Sequence, residues 1–208
     1  MALGPSNGKP LADSDSRRTN HFHNHYERTK FLGDQVARKY QNEGYPVKIV
    51  YPGVIYGPGA ATEANLVGRL VADHRAGRLP GLVGADRTWS YAYVDDVADA
   101  HVGALAPSLG GTEYVVGGEN APQMRVFEIL RALTGAKLPR RIPFPVASAI
   151  AWIEERRASW TGRPPLITLG AVEIFRYDWR LDSSRSVEEL NYRVTPLEAG
   201  LKSLLSAG

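Results

Sequence analysis

The chain has 208 residues, of which 43% are hydrophobic and 23% charged, with a net charge of +3; this is the composition of a globular chain long enough to bury one core. The basic residues fall in separated pairs (Arg17-Arg18, Arg140-Arg141, Arg156-Arg157). They form no run interleaved with aromatics, which argues against a nucleic-acid partner. Cysteine is absent, excluding disulfides and thiol chemistry, no apolar run reaches transmembrane length, and Met1 to Pro5 does not read as a secretory leader.

Residues 4–20 are rich in Gly, Pro, Ser, Asn and Asp and read as a loop. A helix is predicted over 26–43, ending near Gly44, with Phe31, Leu32, Val36, Ala37 and Tyr40 as its apolar stripe. Pro46 opens a β-branched strand at 47–51, which Pro52-Gly53 ends. Further helices are expected at 64–76, 95–106 and 123–134, the last closed by Gly135 as a C-cap. Strands are expected at 89–94 and 113–116, and a short apolar segment lies within the turn-rich stretch 77–84. Asp95 and Asp96 suit the capping and first turn of the helix they open. Beyond residue 142 an extended Ile-Pro-Phe-Pro is followed by helices at 146–160, 169–179, 187–190 and 197–205. Alternating helices and strands followed by helices predict an α/β fold with a parallel sheet and a mostly helical C-terminal cap.

Tyr26-Glu27-Arg28-Thr29-Lys30 carries chemistry in its spacing. Positions i and i+4 share one helix face, so Tyr26 and Lys30 point the same way. A phenol is a poor base at neutral pH, and an ammonium beside it favours the phenolate. Such a pair suits proton exchange with an alcohol or a carbonyl. His21, His23 and His25 alternate, but no carboxylate or cysteine at ligand spacing accompanies them, and no metal site is expected.

Three more blocks follow in order: Tyr51-Pro52-Gly53-Val54-Ile55-Tyr56-Gly57-Pro58-Gly59, then Trp89 through Ala98 around Tyr93-Val94-Asp95-Asp96-Val97, then Tyr114-Val115-Val116-Gly117-Gly118-Glu119-Asn120. Together with Tyr26 to Lys30 this order resembles the extended short-chain dehydrogenase/reductases, the NAD-dependent epimerase/dehydratase group. Ala2-Leu3-Gly4, Gly77-Arg78-Leu79-Pro80-Gly81 and Gly162-Arg163-Pro164-Pro165-Leu166-Ile167 are most similar to its dihydroflavonol-reductase-like and farnesol-dehydrogenase-like branch.

The resemblance implies a Rossmann-type sheet over residues 1–135 and a helical substrate-binding cap over 136–208. It implies Tyr26 as the catalytic acid/base, and Lys30 as the residue that contacts the cofactor ribose and tunes the tyrosine. Pro52, Gly53, Val54 and Ile55 would lie along the nicotinamide of NAD or NADP, with NAD favoured. Asn65 and Arg87 fall in segments that line the substrate side. The expected reaction interconverts an alcohol and a carbonyl on an apolar small molecule. Phe144, Ile150, Trp152 and Trp160 suit such a substrate as well as they suit a core. A sugar-nucleotide epimerase or dehydratase, or a non-catalytic interaction module, is the alternative. A cytoplasmic location is expected, and a homodimer is compatible with the resemblance.

The glycine-rich strand–turn–helix that holds a cofactor pyrophosphate in this family does not occur in these 208 residues. Gly57-Pro58-Gly59 follows the later Pro-Gly turn and cannot serve. The family's catalytic Ser or Thr would precede Ala2-Leu3-Gly4, and Ser14, Ser16 and Thr19 do not match it. The chain is therefore expected to be the later part of an incomplete Rossmann unit, short of roughly 120 residues by analogy. The strand at 47–51 is expected to keep an open edge, and the chain alone is not expected to act as a dehydrogenase.

Overall fold

The computed structural model describes residues 1–15, 17, 21–60, 65–106 and 110–206. Ser16, Arg18, Thr19 and Ala64, all covered by the sequence readings above, lie outside them. The first element is helix α1, His25–Asn42, whose N-cap Asn24 accepts the Glu27 N–H at 2.8 Å. The expected apolar stripe is present but is not its inward face. Leu32, Val36 and Tyr40 are exposed, and Glu27 alone is fully buried. Helical periodicity reveals that one face is apolar, not what covers it.

Helix α1 meets the sheet through polar side chains. Strand β1, Ile49–Pro52, pairs in parallel with β5, Glu113–Val116, in the register Ile49↔Glu113 to Pro52↔Val116. Arg38 donates to both Glu113 carboxylate oxygens, at 2.5 and 2.8 Å, and to the Tyr51 hydroxyl at 2.9 Å. That hydroxyl donates to Asp34 at 2.5 Å. Gln41 donates to the Val47 carbonyl. Going back along α1 thus means going forward along β1, so the start of the helix lies toward the carboxyl end of the strand.

At Gly53 the extended chain changes partners. Its N–H still reaches the Val116 carbonyl at 3.1 Å. The next strand, β2 (Val54–Tyr56), pairs instead with β4 (Thr88–Tyr93), again in parallel. Strand β4 pairs on its other side, antiparallel, with β6, Glu119–Pro122. A Cβ on Gly53 would stand 2.6 Å from the Ser90 carbonyl oxygen, so the crossing point requires glycine. The sequence reads 52–55 as a turn; the structure places it as two short strands flanking one glycine.

Helices α2 (Leu66–Arg75), α3 (Val94–Ala104) and α4 (Gln123–Thr134) occur where expected, and Gly135 closes α4 at φ +75°. Asp95 and Asp96 stand in the first turn of α3, where they complement the helix dipole. Neither caps it: Asp96 accepts the Thr195 N–H at 2.7 Å and pins the C-terminal segment instead. The apolar segment at 77–84 becomes β3, Leu82–Val83, parallel to β7, Arg141–Ile142.

The C-terminal third carries α5 (Phe144–Thr161), α6 (Leu169–Ile174), α7 (Ser184–Leu190) and α8 (Leu197–Ser206). Phe144 and Pro145 open α5 instead of extending the strand, because proline is tolerated in a first turn that has no N–H partners. The helix expected over 169–179 stops at Ile174. Trp179 bridges Trp89, donating its N–H to the Thr88 carbonyl at 2.8 Å. Both Ile174 and Trp179 are buried, so apolar spacing alone cannot separate one long helix from a short helix plus bridge. The largest core gathers Tyr56, Val71, Phe127, Leu130, Leu197 and Leu201, which seats α8 with α2 and α4.

Candidate acid/base site

The approach to α1 is fixed by a buried ion pair. Arg17 and Glu27 meet at 2.8 Å with side chains 2% and 0% exposed. Arg17 also donates to the His21 carbonyl at 2.6 Å and lies over the Phe22 ring at 4.5 Å. The other Glu27 oxygen accepts the His23 N–H at 2.8 Å. The glutamate has therefore exchanged water for one guanidinium and one backbone donor, which is what a buried carboxylate requires.

The cap touches this same segment. His23 stacks on Tyr177 with ring centroids 4.6 Å apart, and His21 meets His23 edge-on. Of the three alternating histidines, His21 and His23 are thus engaged with aromatic rings. A Cβ on Gly170, in α6, would fall 2.9 Å from the His23 carbonyl oxygen. The segment from α6 to Tyr177 thereby packs against the residues that lead into α1.

Tyr26 and Lys30 stand on the outward face of the same turn. Tyr26 is 57% exposed, and the Lys30 ammonium lies 5.3 Å from its ring centroid. Several buried tyrosines are held in the protonated form. Burial drives Tyr51, Tyr56, Tyr91 and Tyr192 well above the ordinary phenol range, and Asp34, accepting from Tyr51, adds to its shift. Burial, and then the Glu189 carboxylate, push Tyr114 up to about 12. Among the described residues, Tyr26 alone carries a lysine ammonium over its ring.

The remaining expected site residues are spread over the carboxyl end of β1, the start of β2 and nearby turns. Pro52 ends β1, Gly53 is the crossing point, and Val54 and Ile55 begin β2. Tyr26 lies 12 residues before Arg38, roughly 18 Å up the helix, on the side toward which β1 runs. Asn65 caps α2: its side-chain oxygen accepts the Gly68 N–H at 3.0 Å, and its amide donates to the Gly57 carbonyl at 3.3 Å. Arg87 is exposed on the turn before β4. Sequence reasoning missed Arg17, Glu27, Gly170 and Tyr177. Glu27 lies inside the Tyr-to-Lys motif, but its partners, the Arg17 guanidinium and the His23 N–H, come from a preceding stretch that carries no spacing signal.

The model of the NAD dependent epimerase/dehydratase family matches residues 2–117, more than half of the chain. The chain belongs to this family. It is 29% identical over 177 residues to Sterol demethylase protein B of Methylococcus capsulatus, covering 84% of this chain and 53% of that protein. It is 25% identical over 183 residues to a Synechocystis protein named as a dihydroflavonol 4-reductase, covering 85% and 52%. Among solved structures it resembles a nucleoside-diphosphate-sugar epimerase from Pseudomonas aeruginosa, with TM-score 0.76 and 19% identity over 99% of this chain and 63% of the other. That likeness shows a Rossmann-type fold. The chain spans about half the length of the curated relatives it matches.

Proposed function

We propose that the chain supplies the proton-transfer part of an NAD-dependent oxidoreductase that interconverts an alcohol and a carbonyl. The observation that carries this reading is the exposed Tyr26 with the Lys30 ammonium 5.3 Å from its ring, on a helix start held rigidly by Arg17 and Glu27. The residues present fit the nicotinamide end of a dinucleotide. Lys30 offers exposed donors for ribose hydroxyls, and the backbone of Pro52 to Ile55 offers an edge at the carboxyl end of a parallel strand, the usual place for a ligand in such sheets. A nicotinamide held there would supply the acceptor for the hydride that leaves the alcohol carbon. Tyr26 takes the hydroxyl proton in that direction and returns it to the carbonyl oxygen in the reverse one. Lys30 orients the ribose beside Tyr26.

An apolar substrate is the better-supported choice, since the first of the two curated relatives is named for a sterol. The nucleotide-sugar epimerase reading rests on the fold of the solved neighbour. The test has two arms. Calorimetry of the 208-residue chain with NAD and NADP is expected to show no micromolar binding; binding with turnover would overturn the half-site reading. In a polypeptide that places a glycine-rich strand–turn–helix ahead of residue 1, turnover of an apolar alcohol is followed at the nicotinamide absorbance. There Tyr26→Phe is expected to lower kcat by about 10²–10⁴-fold with cofactor affinity kept, and an unchanged kcat removes Tyr26 from the chemistry.

A further inference from the structure

Helix α5 is built inside out. Its buried side presents the small residues Ala147 and Ala151, packed with Val83 and Val172. Its bulky apolar residues Val146, Ile150, Trp152, Ile153 and Trp160 face outward, with Trp160 88% exposed and the following Leu166 87% exposed. A monomer's surface normally scatters single apolar side chains; this many along roughly 21 Å of one helix, from Val146 to Trp160, mark an interaction site.

The charges on this ridge are of one sign. The acids of α5, Glu154 and Glu155, turn back toward their own loop. Glu154 pairs with Arg157 at 2.6 Å and accepts the Leu166 N–H, and Glu155 accepts the Leu169 N–H. Arg156 is exposed over the Trp152 ring at 5.3 Å, and Arg163 is exposed just beyond the helix. The outward face therefore offers tryptophans, aliphatic side chains and guanidinium groups, with the carboxylates withdrawn.

We infer that α5 docks on an anionic lipid surface. Tryptophan and arginine are the side chains suited to the boundary between headgroups and acyl chains. A ridge of protruding side chains fits a deformable surface better than a preformed pocket. Arg156 and Arg163 would meet lipid phosphates, and Ile150, Ile153 and Trp160 would enter the acyl boundary, in the manner of an interfacial helix. No helix among the described residues is long and apolar enough to cross a membrane, so the contact is peripheral. Docking would bring the chain to where an apolar alcohol dissolves, yet it requires neither cofactor nor turnover.

The test is cosedimentation of the 208-residue chain with vesicles of phosphatidylcholine alone or mixed with phosphatidylserine, with tryptophan emission recorded in parallel. Binding to the anionic vesicles with a blue shift in emission, weakened by salt, is expected. Arg156→Gln and Arg163→Gln should each weaken it about fivefold, and Trp160→Ser with Ile153→Ser by tenfold or more. Circular dichroism and melting temperature should not change, because all four sites are exposed. Equal binding to neutral vesicles, or no binding to either, overturns the inference. So does a fall in sedimenting mass on Trp160→Ser without lipid, which would make α5 a contact between copies. None of these results touches the acid/base reading of Tyr26, and loss of that reading leaves the lipid test intact.

Discussion

Glu27 sits one residue from Tyr26 and about 100° around the helix from it, so one side chain anchors the turn while the other meets solvent. Glu27→Gln leaves the Arg17 guanidinium buried without its counter-charge, and a loss of about 3–5 kcal/mol in urea denaturation is expected. Replacing both partners, Arg17→Met with Glu27→Leu, should restore much of that stability, because the desolvated charges leave together. A double variant no more stable than Glu27→Gln would show that the pair is not the anchor. Gly53→Ala acts by a different route: its Cβ would press on the Ser90 carbonyl oxygen, and about 1–3 kcal/mol of destabilisation is expected. The Tyr26–Lys30 pair was legible because helical spacing is short-range. The Arg17–Glu27 pair was not, because the nine residues between them carry no helical or strand period in the sequence to show that they meet.

Between elements, α1 and β1 are joined by Asp34, Arg38, Tyr51 and Glu113, where sequence reasoning expected apolar packing. Burial, then the hydrogen bond to Asp34, hold the Tyr51 proton in the folded state. A group whose folded pKa is raised contributes its stability below its unfolded value, near 10 for tyrosine, and loses it as pH rises beyond that value. Tyr56, Tyr91 and Tyr192 share the direction through burial. Melting temperature should therefore fall above about pH 10, less steeply in Tyr51→Phe than in the parent chain. An identical alkaline slope in the two proteins would exclude Tyr51 from the transition. The helices at α1, α2, α4 and α8 and the strands β4 and β5 were readable from caps, glycines and β-branched runs. β6, Glu119–Pro122, was not: Glu-Asn-Ala-Pro has low strand propensity, and its pairing with β4 is a tertiary effect. The same holds for Trp179, whose bridge to Trp89 exists only once the two segments are brought together.

For the whole molecule, two unfilled surfaces lie side by side. Among the described residues β1 is hydrogen-bonded only to β5, so its other edge is unpaired. On the adjoining helix, Leu32, Val36 and Tyr40 stand at i, i+4 and i+8 and are all exposed, a row that forms the kind of ridge one helix packs into the groove of another. The homodimer compatible with the family resemblance would use this ridge, with α1 of one copy lying along α1 of the other about a two-fold axis, so that each copy offers the same three side chains. Strand-edge pairing between copies is the competing arrangement, and the two differ in what disrupts them. Val36→Lys places a charge in the middle of the helix ridge and leaves the strand edge untouched. Analytical ultracentrifugation of the 208-residue chain is expected to show a concentration-dependent dimer that Val36→Lys converts to monomer. Val50→Pro, which blocks an edge N–H, is expected to lower stability without removing the dimer specifically. A dimer that survives Val36→Lys would place the contact away from α1, and a chain that sediments as a monomer at every concentration would remove the homodimer altogether.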